Sequence, residues 1–136
     1  MATQIFVNLP VKDLKRSVAF FTALGYKFDP RFTDEKATCV IVGENIFVML
    51  LLEGFFKTFT PHELCDAHKS TEVIMCLSAD SRARVDEVVG KAVAAGASTP
   101  NASRDYGFMY QHGYQDLDGH LWELIYIEPG PAGRNP

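Results

Sequence analysis

The sequence predicts an α+β fold of two tandem β-α-β-β-β modules, and three observations carry that expectation. The same order of elements is legible twice within 136 residues. Each module's helix closes on a glycine, Gly25 in the first and Gly96 in the second. Short stretches also agree: Val7-Asn8-Leu9 lies opposite Met75-Cys76-Leu77, and Asn45-Ile46-Phe47 opposite His120-Leu121-Trp122. A repeat of about 70 residues with matching element order outweighs any single motif. Two such units can bury a shared core that neither could bury alone.

In the first module, Ile5 to Leu9 alternates loosely and runs into Pro10, a strand-ending signal. Asp13 offers an N-cap, Leu14, Val18, Phe21 and Leu24 recur at helical spacing, and Gly25 supplies a left-handed C-terminal cap. Tyr26 to Phe32 reads as a weaker strand. Cys39 to Val42 and Ile46 to Leu52 read as apolar strands joined by a Gly43-Glu44-Asn45 turn. In the second module Val73 to Leu77 is a strand, and Asp80 or Ser81 caps a helix carrying Val85, Val88, Val89 and Ala92. A short strand near Ala97 to Thr99 follows, then Tyr106 to Tyr114, an acidic turn, and Leu121 to Ile127.

These elements place module one at about 3–56, a connection at about 57–71 and module two at about 72–128, leaving a Pro- and Gly-rich tail, 129–136, expected to fray. Around the connection, Gly54 to Phe59 is rich in aromatics, and Thr60-Pro61-His62-Glu63 resembles a helix start. An amphipathic element packed over the core is the simple reading; a lid or dimer contact is the sharper one.

Composition excludes several classes of function. A hydrophobic share of 47% and a charged share of 22% are ordinary for a soluble globular protein. The net charge of -4 and the lack of any basic run argue against a nucleic-acid partner. The longest apolar run, Ile46 to Leu52, is far too short to span a bilayer, and the N-terminus enters a strand pattern without a signal-like region, so no membrane partner is expected. Cys39, Cys65 and Cys76 lack metal-type spacing; Cys39 and Cys76 read as small core residues, and a reducing cytoplasm is the economical location.

The most telling stretch is Asp116-Leu117-Asp118-Gly119-His120-Leu121-Trp122-Glu123-Leu124-Ile125-Tyr126. A tight acidic turn delivers a strand whose one carboxylate, Glu123, stands among large apolar residues. Such a charge is costly to bury unless a metal, a cation or a donor meets it. Glu123 is therefore either a hydrogen-bonded structural group or a functional one, acting as general base or orienting a ligand's amine or hydroxyl. Tyr110 and His112 share a face with each other at spacing two, and Asn8 shares the face of Phe6. If the face of Tyr110 and His112 is concave, a Tyr-His-Glu cluster lines a cavity. Asp116 to Gly119 is better explained as a turn with Asp bonding its own backbone than as a calcium loop, with His120 at the strand entry. His62-Glu63 lacks the second histidine of a zincin motif, and no phosphate loop, nucleophile elbow or Cys-His pair is present.

Phe6-Val7-Asn8-Leu9-Pro10-Val11-Lys12-Asp13-Leu14-Lys15-Arg16-Ser17-Val18-Ala19-Phe20-Phe21, paired with Asp116-Leu117-Asp118-Gly119-His120-Leu121-Trp122-Glu123-Leu124, resembles the vicinal-oxygen-chelate superfamily of glyoxalases, bleomycin-resistance proteins and extradiol dioxygenases. Among bacterial groups, it is most similar to one labelled predicted lactoylglutathione lyases. The resemblance implies a curved mixed sheet around a cavity, helices on the outside, and often a homodimer. It implies metal ligands on the first and last strands of each module, at Phe6, Ile74, Glu123 and Val48, or Met49 if the register shifts by one. Only Glu123 is a ligand type, so no metal cofactor is expected; a divalent metal enters only if the apolar positions are misassigned, with Glu123 as its ligand.

The expected function is the binding of a small, partly hydrophobic molecule in a cavity lined by Phe6, Asn8, Phe47, Val48, Ile74, Tyr110, His112 and Trp122. Whether Phe47 or Val48 faces inward depends on register. The alternatives are a lyase, isomerase or dioxygenase-type enzyme with Glu123 as catalytic base or metal ligand, and a non-catalytic dimeric scaffold.

Overall fold

In the computed structural model, residues 2–130 are described; Met1 and residues 131–136, most of the expected frayed tail, lie outside the described residues. The chain divides between Asp66 and Ala67 into two compact units.

The first unit runs β1 (Ile5–Val11), α1 (Leu14–Ala23), β2 (Lys27–Phe28), a 3-10 turn (Pro30–Phe32), β3 (Ala37–Gly43), β4 (Ile46–Leu52) and a helical turn α2 (Glu53–Phe56). Its sheet has the order β1-β4-β3-β2, with β1 parallel to β4 and the other pairs antiparallel. The capping logic holds: the Asp13 side chain accepts the Arg16 amide at 3.0 Å, and Gly25 sits at φ 98°, which residues with a Cβ rarely adopt. Val40, Val48 and Leu50 are wholly buried, with Phe20, Phe21 and Leu24 of α1 and its C-cap almost so.

The second unit repeats the pattern: β5 (Ile74–Ser78), α3 (Arg82–Ala94), β6 (Arg104–Asp105), β7 (Met109–Gln115) and β8 (Leu121–Ile127), in sheet order β5-β8-β7-β6. Ser81, not Asp80, caps α3, accepting the Arg84 amide at 3.0 Å, and Gly96 closes it at φ 110°. Helix α3 packs on β7 and β8, burying Val85, Val88, Val89 and Ala92. Each unit is a four-stranded mixed sheet with helix, so the α+β expectation stands. Among the described residues, no helix is long and apolar enough to cross a membrane.

Four local expectations are corrected. The strand expected from Tyr26 to Phe32 stops at Phe28, because Pro30 cannot donate to a ladder and the Asp29 carboxylate instead takes the Arg31 amide and guanidinium. The strand near Ala97 to Thr99 is a single bridge, Ser98 to Gln115, next to Pro100. The helical turns of the connection occupy Glu53–Phe56 and Lys57–Phe59, directly off β4, while Thr60 is extended and its hydroxyl accepts the His62 amide. The strand from Tyr106 to Tyr114 begins only at Met109, because Gly107 at φ 85° turns the chain. Arg82 clamps that turn, donating to the Gly107 carbonyl at 2.7 Å and pairing with Asp105 at 2.9 Å.

Candidate functional site

Strand register in the second unit sorts the candidate residues onto two faces. Glu123 pairs with Cys76 on one side and Gly113 on the other, while Gln111 pairs with Ile125 and Arg104. Cross-strand partners point the same way. One face therefore carries Arg104, Gln111, Gly113, Glu123 and Cys76, a polar set crossing all four strands. The opposite face carries Trp122, Tyr114 and Leu124, all buried, and packs under α3.

Glu123 is half-buried and its Oε1 accepts the Gln111 side-chain amide at 2.6 Å. Gly113 makes that reach possible. A Cβ there would lie 2.3 Å from the Trp122 carbonyl oxygen and 3.1 Å from Glu123 Cγ, so the carboxylate side chain occupies the space a larger residue would fill. A cleft of about 260 Å³ opens on this face. Ile74, Leu121, Pro100 and Ala102 give it apolar walls, and Glu123, Gln111, Asn101 and Arg104 supply polar groups. Arg104 is raised by a hydrogen bond with Tyr106 and, among smaller causes, by the Glu123 charge.

Cys76 corrects the expectation of a core cysteine. It is exposed, because the one-residue alternation that buries Met75 turns Cys76 to the Glu123 face. Partial burial pushes its thiol up, and the Glu123 charge adds to that shift. Thiols react as thiolates, so a raised pKa leaves less reactive species at pH 8. Iodoacetamide is expected to alkylate Cys76 more slowly than a cysteine in an unstructured peptide, and severalfold faster in Glu123→Gln than in the native chain, by peptide mass spectrometry. An unchanged rate in the variant would show that the Glu123 charge does not act on Cys76.

The expected Tyr-His-Glu cluster does not form. Tyr110 pairs with Tyr126 and His112 with Leu124, which puts both on the face away from Glu123. The Tyr110 hydroxyl donates to Asp86 of α3 at 2.6 Å. Trp122 is buried there too, its indole N–H donating to Asp116 at 2.9 Å. His112, Tyr114 and Trp122 border the cleft from within their strands, but register aims their side chains at the other face.

In the first unit, Phe6 pairs with Phe47 and stacks on it at 4.8 Å, with Phe32 edge-on to Phe6 at 5.6 Å. Asn8 pairs with Met49 on that same face. Val48 faces the other way and is wholly buried, so it lines no open surface; Met49 is the position matching Glu123, since Asn8 pairs Met49 as Cys76 pairs Glu123. Ile74 is exposed and borders the cleft. The positions where the resemblance implies metal ligands hold Phe6 and Met49 in the first unit and Ile74 and Glu123 in the second, and of these residues Glu123 alone carries a hard donor. Among the described residues, no three His, Cys, Asp or Glu side chains come together to hold one.

The bleomycin resistance protein-like N-terminal family matches residues 3–43. No match was found among curated proteins. Among solved structures, a hypothetical protein from S. aureus is 26% identical, with 93% of this chain and 95% of that one covered and a TM-score of 0.80. A glyoxalase/bleomycin resistance protein/dioxygenase family enzyme from Burkholderia phytofirmans PsJN is 16% identical, covering 93% and 99%, at a TM-score of 0.75. TnmS3, an antibiotic binding protein from Streptomyces sp. CB03234, is 16% identical, covering 94% and 98%, at 0.66. The fold is thus the one shared by these glyoxalase/bleomycin-resistance structures, and residues 3–43 are similar in sequence to the bleomycin resistance protein-like N-terminal family.

Proposed function

We propose that the protein binds one small, partly hydrophobic molecule in the cleft on the Glu123 face of the second unit. The observation that carries this reading is the cleft itself: apolar walls from Ile74 and Leu121 around a carboxylate held by a single amide. That mixture, a mostly apolar surface with a few placed polar groups, is what small-molecule sites use. A volume of about 260 Å³ suits a ligand built on one or two rings. The fold likeness to an antibiotic binding protein supports binding as a use of this architecture. The reading assigns no role to a metal, in keeping with the apolar residues at the implied ligand positions, and it carries no turnover step.

A saturation-transfer NMR screen of small aromatic fragments tests it. Saturable binding is expected, unchanged by EDTA and lost in Ile74→Arg, an exposed wall residue whose replacement leaves the melting temperature near that of the native chain. Absence of saturable binding, or binding indifferent to Ile74→Arg, would refute the assignment. Loss of binding with EDTA would return a metal to the site.

A further inference from the structure

We infer that the ligand is an amine, its protonated nitrogen seated on Glu123 and Gln111 and its apolar body on Ile74 and Leu121. This rests on the binding reading above and adds the chemical class. Among the described residues, Glu123 makes one hydrogen bond, from the Gln111 amide to Oε1, and no ion pair. With the Gln111 nitrogen directed at the carboxylate, the acceptors the pair has left for a ligand are Glu123 Oε2 and Gln111 Oε1. The pair therefore has two acceptor oxygens to offer. An alkylammonium has three N–H donors on one atom and a positive charge, and it matches such a pair better than a hydroxyl with a single donor. A half-buried carboxylate whose one hydrogen-bond donor is neutral also gains from a cationic donor, since a charge-assisted hydrogen bond is the stronger kind.

Arg104, which borders the cleft, does not fill that role. It is exposed on β6; its hydrogen-bonding partner is Tyr106, and it feels the Glu123 charge only as a smaller effect, with no ion pair between them. It stands directly across from Gln111 in register, not from Glu123. An anionic ligand would meet Arg104 only by placing its charge near Glu123, which the carboxylate opposes.

Three probes of similar length separate the possibilities: 2-phenylethylamine, 2-phenylethanol and 3-phenylpropionate, each titrated against the full chain by NMR at neutral pH. The amine is expected to bind at least about tenfold tighter than the alcohol, the difference a charge-assisted hydrogen bond makes over a neutral one. The propionate should bind weakest. In Glu123→Gln the amine should fall to the alcohol's affinity. Raising ionic strength in the native chain should weaken the amine alone, which keeps the test decisive if the variant folds poorly. Equal or tighter binding of the alcohol or the propionate would overturn the amine assignment while leaving the binding reading intact. No saturable binding by any of the three, together with a blank fragment screen, would overturn both.

Discussion

Replacing Asp116 with Ala is expected to destabilise the protein by about 3 kcal/mol and to lower its melting temperature by about 10 °C. Asp116 is 6% exposed and organises the turn into β8. Its Oδ1 accepts the amides of Asp118 at 2.9 Å and His120 at 3.0 Å, and its Oδ2 accepts the Trp122 indole N–H at 2.9 Å. Alanine leaves all three donors without that acceptor, and each orphaned buried donor costs about 1–3 kcal/mol before relaxation. Burial pushes the Asp116 carboxyl up, while His120 and these three N–H groups act against the rise. Gly119 closes the turn at φ 91°, and a Cβ there would meet the His68 amide nitrogen at 2.7 Å. Asp116→Asn should be intermediate, since its amide nitrogen would oppose the indole N–H. Thermal melts with tryptophan emission check this: the variants should melt earlier with Trp122 red-shifted. A native melting temperature in Asp116→Ala would show that the turn does not depend on the carboxylate.

Gly113→Ala is expected to act on both stability and binding. The added Cβ would meet the Trp122 carbonyl oxygen at 2.3 Å and the Glu123 Cα at 3.3 Å, backbone atoms that a rotamer change cannot move. Relieving the clash means parting β7 from β8 locally, at about 2–3 kcal/mol. Glu123 would be displaced from Gln111 at the same time, so ligand affinity should fall more than tenfold even at temperatures where the variant is fully folded. Denaturant titration together with ligand titration separates the two effects. Native stability combined with native affinity in Gly113→Ala would contradict the assigned role of this position.

The architecture was legible because it depends on signals that repeat along the chain. Asp13 and Ser81 cap helices through their side chains, Gly25 and Gly96 end them at positive φ, and apolar runs mark β4 and β8. Glu123 was legible too, as a lone carboxylate in an apolar strand. Its surroundings were not, because they depend on register across strands distant in sequence. Tyr110 and His112 alternate correctly with each other, yet nothing local says whether they or Gln111 share the face of Glu123. The answer turns on His112 pairing with Leu124 rather than Glu123, a shift of one residue that reverses the faces. The same one-residue ambiguity decided between Val48 and Met49, and it put Cys76 beside Glu123 instead of in the core. Gln111 and Gly113 were missed for this reason. The signal available was Gly113 itself, since a glycine inside a strand marks close approach by another group.

Backbone amide shift mapping during titration with 2-phenylethylamine decides whether a ligand lies against Glu123. Saturable shifts should cluster at Ile74, Gln111, Gly113, Leu121 and Glu123. Saturable shifts confined to strands of the first unit, around Phe6 and Phe47, would place the ligand elsewhere and contradict the assignment of the cleft.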